Sequence, residues 1–172
     1  MTTTARDIIT IDDTRFIFST NFAGNPDNDR FGDSRRKANI LIPDPEQAHA
    51  LMDAGIRVRQ TRPRPDDDPE TFVPEYFVVG LLKYRNKTGQ PVKFAPKVYL
   101  VCDGQEPLLL DEDSIDCLDR MRIKNVCVVL NPYEYDPDNH GVSLYIRTMY
   151  VEQDLDDPYA ERYHQMSMTD MF

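Results

Sequence analysis

The chain has 172 residues, enough for one domain around a single core and short for two. With 40% hydrophobic and 29% charged residues it has an ordinary globular composition, and no apolar run approaches the roughly 20 residues that span a bilayer, which argues against a helical membrane protein. The net charge of −10 excludes a surface that attracts phosphates everywhere, and the opening MTTTARDIIT lacks the basic and apolar regions of an export signal, so the expected location is the cytoplasm.

In chain order, RFIFSTNFAG (15–24) is rich in aromatic and β-branched residues and is expected to hold the first strand. A basic segment follows with Arg30, Phe31, Arg35, Arg36 and Lys37, leading into a strand in ANILI (38–42). In PDPEQAHALMDAGI, Asp44 suits a helix cap, Pro45 the first turn and Gly55 the left-handed end, which predicts a short helix. IRVRQT (56–61) reads as a strand with Arg57 and Arg59 on the face opposite Ile56 and Val58. RPRPDDDPE (62–70) is an exposed loop by its proline and aspartate content. EYFVVGLLKYR (75–85) and KVYLVC (97–102) read as strands, and between them NKTGQP (86–91) has hairpin-loop chemistry with Lys87 at its tip. DEDSIDCLDRM (111–121) predicts a second short helix through Ile115, Leu118 and Met121, and VCVVL (126–130) and VSLYIRTMYVE (142–152) complete a mainly β body. A five-stranded barrel with a helix before its last strands fits this order, and a β-sandwich fits it almost as well.

Catalysis needs a nucleophile beside a base, or a ligand cluster. His49, His140 and His164 fall in a helix, a turn and the tail, without partners at useful spacing. Asp111 to Asp116 lacks the glycine and closing glutamate of a calcium loop, and Asp136, Asp138 and Asn139 beside His140 read as a turn. Cys102, Cys117 and Cys127 are isolated among apolar neighbours, as reduced core thiols are. The expectation is a protein that is not an enzyme and uses neither metal nor cofactor.

What the residues do offer is cations interleaved with aromatics. Residues 76–102 contain no acid and carry Lys83, Arg85, Lys87, Lys93 and Lys97 among Tyr84, Phe94 and Tyr99; SLYIRTMY adds Tyr145, Arg147 and Tyr150. Unpaired bases stack on such rings, each stack worth about 1 to 3 kcal/mol, while the cations track the backbone. Strand alternation puts Leu144, Ile146 and Thr148 on one face and Ser143, Tyr145, Arg147 and Met149 on the other, so Tyr145 and Arg147 are expected to face a groove together.

NFAG (21–24) leads through basic residues to ANILI, AHALMDAGIRV follows, then KYR and PKVYLV, the acidic-capped LDEDSIDCLDRMRIKNV, VLNPYEY and finally GVSLYIRTMYV. Over roughly residues 16–151 this order resembles the single-stranded DNA-binding proteins of tailed bacteriophages, an OB-fold family. The resemblance implies a mainly β fold: an OB-fold five-stranded barrel with additional N-terminal strands, two short helices and an acidic C-terminal tail. It divides the chain into a binding domain at 1–151 and a tail at 152–172. It also implies a protein that coats single strands with little sequence preference during phage DNA replication or recombination, in the host cytoplasm. By position, the nucleic-acid groove would fall on Phe22, Arg30, Phe31, Arg35, Arg36, Lys37, Lys83, Tyr84, Arg85, Lys93, Phe94, Tyr133, Tyr135, Tyr145 and Arg147. Tryptophan, common in such grooves, is absent here.

Proteins of this class typically end in a flexible acidic tail with a final phenylalanine. Residues 152–172 hold six acids and one arginine, about half of the net charge. The tail is expected to compete with DNA for the groove, and Asp170, Met171 and Phe172 to engage replication or recombination partners. Tyr159, Tyr163, Met166 and Met168 offer a route to homo-oligomers. A reading from another class stays open: an acidic interaction protein, a DNA mimic or assembly factor, that binds a protein partner.

Overall fold

The computed structural model describes residues 7–29, 32, 34–136 and 141–154. Among the described residues the strands in chain order are β1 (Ile9–Thr14), β2 (Phe16–Asn21), β3 (Arg36–Ile42), β4 (Arg59–Gln60), β5 (Tyr76–Leu82), β6 (Lys97–Val101), β7 (Leu108–Leu110), β8 (Ile123–Asp136) and β9 (Gly141–Gln153), with one α-helix, α1 (Pro45–Asp53), and short 3₁₀ helices at Pro26–Asn28 and Ile115–Arg120. The mainly β character is as expected. All nine strands join one mixed sheet along the path β1-β8-β9-β5-β3-β2, with β4 beside β5, and β6 between β7 and β9.

The two ends of that path, β1 and β2, are separated in the chain by Arg15 alone. Asp13 and Phe18 have positive φ, 51° and 59°, where the registers of β1 with β8 and of β2 with β3 shift. Bulges of this kind twist and bend a strand. The bend lets one stretch of chain serve both edges. Taken as one strand, 9–21 is followed around the sheet by β3, β5, β9 and β8, which returns to it, the circuit of a partly open five-stranded Greek-key barrel. The hydrogen-bonded ladder itself is open, and the chain at Arg15 joins its edges.

Gly80 of β5 lies at the crowded centre: a Cβ there would meet Ile40 Cδ1 at 2.8 Å and Ile146 Cγ1 at 3.1 Å, so glycine lets the side chains of β3 and β9 close over it. Ile11, Phe22, Ile40, Val78, Val98, Ile115, Leu118, Val126, Val128, Leu130, Met149 and Val151 fill the interior. Asp44 caps α1 by accepting from Glu46 N at 3.0 Å, and Gly55, at φ 90°, ends it. The second helix is 3₁₀, Ile115–Arg120, with Ile115 and Leu118 buried. Its Asp119 accepts from Phe22 N at 2.8 Å, Ala23 N at 2.9 Å and Thr20 Oγ1 at 2.6 Å, bolting the end of β2 to the helix.

Two local expectations are corrected. The stretch 56–61 forms a strand only at Arg59–Gln60, although Arg57 and Arg59 do lie exposed opposite Ile56 and Val58. β7 adds a strand where none was read, while β1 is among the additional N-terminal strands expected. β9 runs to Gln153, paired with Ile123, and Asp154 N donates to Arg122 O at 2.9 Å. Cys102, Cys117 and Cys127 are half-buried free thiols, the first two packed at the edge of the core and Cys127 paired with Tyr150, and burial pushes the Cys117 thiol up from its usual range. Among the described residues no helix is long and apolar enough to cross a membrane. The turn expected around Asp138, Asn139 and His140, and the stretch 155–172, lie outside the described residues.

Candidate nucleic-acid interface

β9 changes partners along its length. It pairs in parallel with β5 at Leu144 and Tyr145, and in parallel with β6 from Thr148 onward. In between, Ile146 and Arg147 have no strand on that side among the described residues. An open groove occupies the gap. Its floor is Asn131 and Tyr133 of β8 with Tyr145, Ile146 and Arg147 of β9; one wall is the basic run from Lys83 to Lys97, and the other is Leu109 to Glu112. The wall is stiffened at the hairpin, where Asn86 Oδ1 accepts from the backbone N of Thr88 and Gln90, each at 3.0 Å.

Arg147 owes its position to a bulge. In the β8–β9 ladder Leu130 faces Ile146 and Val129 faces Thr148, which leaves Arg147 as an extra residue. The insertion reverses the alternation. Tyr145 and Arg147 both line the groove as expected, whereas Met149, expected on their face, is fully buried.

The rings fall into two kinds. Phe94 is 85% exposed with Lys93 Nζ 5.5 Å from its centroid, and Tyr133 is 59% exposed, its ring edge-on to Tyr145 at 6.2 Å. These offer faces to a ligand. Tyr84 lies deeper, its hydroxyl buried without a hydrogen-bond partner among the described residues and Arg36 Cζ 5.5 Å from its ring. Burial pushes its pKa up to about 12, with nearby Arg36 opposing and Asp111 and Glu112 reinforcing the shift. Among the cations, Arg85 is held by Glu112, whose carboxylate accepts from its Nε at 2.8 and 2.9 Å, and by Gly89 O, which accepts from Nη1 at 2.8 Å.

The expected residues divide accordingly. The groove gathers Lys83, Tyr84, Arg85, Lys93, Phe94, Tyr133, Tyr145 and Arg147. Phe22 is corrected: it is fully buried, edge-on to Phe16 at 5.3 Å, and has no face to offer a base. Arg36 and Lys37 do structural duty, Arg36 Nη1 donating to Phe22 O at 2.7 Å and Lys37 Nζ lying 2.7 Å from Asp29. Arg35 is exposed at the start of β3, outside the groove lining. Tyr135 is on β8, its side chain outside the described set, as are Arg30, Phe31, Asp170, Met171 and Phe172. The groove adds Lys87 and Lys97, which the acid-free run contained, and Asn131, which nothing in the sequence distinguished.

Over residues 2–171 the chain matches the family described as "Putative phage ssDNA-binding domain". The chain belongs to that phage ssDNA-binding domain family. The family is one of binding domains rather than enzymes, and the match takes in both the β body and the acidic stretch after it. Among solved structures, the crystal structure of gp2.5, a single-stranded DNA-binding protein encoded by bacteriophage T7, aligns with 14% identity over 86% of this chain and 87% of that one, at a TM-score of 0.37. Curated protein sequences gave no match. Within this phage ssDNA-binding domain, the groove is where exposed rings and cations converge.

Proposed function

We propose that this chain binds single-stranded DNA in the groove where β9 passes from β5 to β6, with little sequence preference, in phage DNA replication or recombination in the host cytoplasm. The observation that carries the reading is the meeting of exposed rings, Phe94 and Tyr133 with Tyr145 behind, with Lys83, Lys87, Lys93, Lys97 and Arg147 in one open groove. Rings stack on any base and cations follow any backbone, so such a lining binds without reading sequence. Family membership supports the same ligand.

The acidic stretch 152–172 competes with DNA for these cations, and Asp170, Met171 and Phe172 contact replication or recombination proteins. Its support is charge complementarity between the six acids of that stretch and the acid-free run 76–102.

Fluorescence anisotropy of labelled oligo-dT, in a salt series, tests both parts. The full chain is compared with a truncation after Asp154, which keeps the β9 ladder and the Asp154–Arg122 hydrogen bond. Binding that weakens with salt at a slope of about −0.7 per phosphate contacted supports the groove. Tighter binding by the truncation supports the competing tail. Phe94→Ala, at an exposed ring, should lose about fivefold or more in affinity with an unchanged melting temperature. If no form binds at low salt, the reading fails and the acidic surface becomes the one that needs a partner.

A further inference from the structure

Beyond the groove, on the outer face of the same sheet, two tyrosines stack. Tyr99 of β6 pairs in register with Tyr150 of β9, their ring centroids 5.0 Å apart and their planes 15° from parallel. Neither belongs to the core. Val98 and Met149, the neighbours in sequence, point inward and are fully buried, so alternation turns both tyrosines out; Tyr150 is 46% exposed, and Leu109, paired with Tyr99, is 54% exposed. The platform is continuous with the groove. Lys97 and Thr148, which line it, pair with each other two positions before the tyrosines, about 7 Å at the rise of a strand.

We infer that the Tyr99–Tyr150 pair is a further base-stacking site, where a strand leaving the groove past Arg147 and Lys97 lays its next base on Tyr150. The inference rests on the single-stranded DNA reading above and extends the path in one direction. Two features mark out this occupant. Tyr99 already covers one side of Tyr150 and orders its ring, so a base that lands on the other side adds little cost for fixing that ring, and sequence-tolerant binders combine such rings with a basic groove. Just beyond, along β9, come the acids Glu152, which lies 3.9 Å from Lys124, and Asp154, so the path ends at Tyr150.

The test uses the full chain and a ladder of oligo-dT lengths, from about 4 to about 16 nucleotides. Wild type, Tyr150→Ala and Tyr150→Phe are compared at one salt concentration. On the shortest oligonucleotides, which fill the groove alone, the three should bind equally, and this equality also reports that the variants are folded. As length grows, wild type and Tyr150→Phe should gain a step of about fivefold or more that Tyr150→Ala lacks, because stacking needs the ring and not the hydroxyl. Equal affinities at every length would overturn the inference. So would a loss in Tyr150→Ala already present on the shortest oligonucleotides, or a change in sedimentation instead of affinity, which would assign the platform to a second copy of the chain. Wild type failing to bind any length would sink the single-stranded DNA reading itself, an outcome seen before any variant is compared.

Discussion

Glu112 sits among the cations of the groove and occupies one of them. Its carboxylate takes the Arg85 Nε–H at 2.8 and 2.9 Å, the donor that the proposed binding mode would offer to a phosphate oxygen. Both side chains are partly exposed, so the pair is weak and a ligand can displace it. Glu112→Gln should therefore raise affinity for oligo-dT about two- to fivefold and steepen the salt slope by about 0.7, read by anisotropy at several salt concentrations. Tyr84 presents a different cost, a hydroxyl buried without a partner among the described residues. Its folded pKa of about 12 lies above the usual 10.0, so the folded state holds the proton more firmly. The stability tied to it is complete below pH 10 and is lost as pH rises through 12. Tyr84→Phe should flatten that alkaline decline in urea unfolding curves and leave neutral-pH stability equal or higher, since it removes an unsatisfied polar atom. At this scale the sequence was partly legible. The cations of 83–97 announced themselves by the absence of acids, whereas Phe22 carried no mark of its burial, because an aromatic just past a strand looks the same whether it turns in or out.

The elements were more legible than their details. Asp44, Pro45 and Gly55 wrote the ends of α1 into local chemistry, and the structure follows them. The second helix is a 3₁₀ turn of six residues: Asp111 Oδ1 accepts from the N of Asp113 and of Ser114 at 3.0 and 2.9 Å at its start, and the chain passes into β8 soon after its end at Arg120. That short helix matters through Asp119. Its carboxylate satisfies two backbone donors and one hydroxyl from the end of β2, contacts nearly a hundred residues apart in sequence that no local pattern announces. Asp119→Ala would leave those donors unpaired beside the buried Phe22 and should cost about 3 kcal/mol in chemical denaturation, with the largest loss of amide protection at Phe22 and Ala23. β7 has no local signal: its three leucines follow a proline without alternating with polar residues, only Leu110 is buried, and their strand geometry comes from the partner β6.

Across the whole molecule, a net charge of −10 coexists with a basic groove because the acid-free run and the acids occupy different stretches of chain. The circuit of strands followed from their order, but its closure did not: it depends on positive φ at Asp13 and Phe18, a conformation that no side chain of those types advertises. β9 holds the assembly together, pairing with β8, β5 and β6 in turn, and its bulge at Arg147 falls where two of those partners change over. One consequence concerns insertions and deletions. Losing a residue from a central strand normally shifts every later side chain to the wrong face. Here the residue at 147 is already surplus to the ladder, and removing it would set Ile146 opposite Leu130 and Thr148 opposite Val129 with nothing between. A variant lacking Arg147 should therefore melt within a few degrees of wild type in a thermal scan while binding oligo-dT as weakly as Arg147→Ala. Arg147 is thus a one-residue graft on a strand that would fold without it, and chains of this architecture could gain or lose this cation by a single codon.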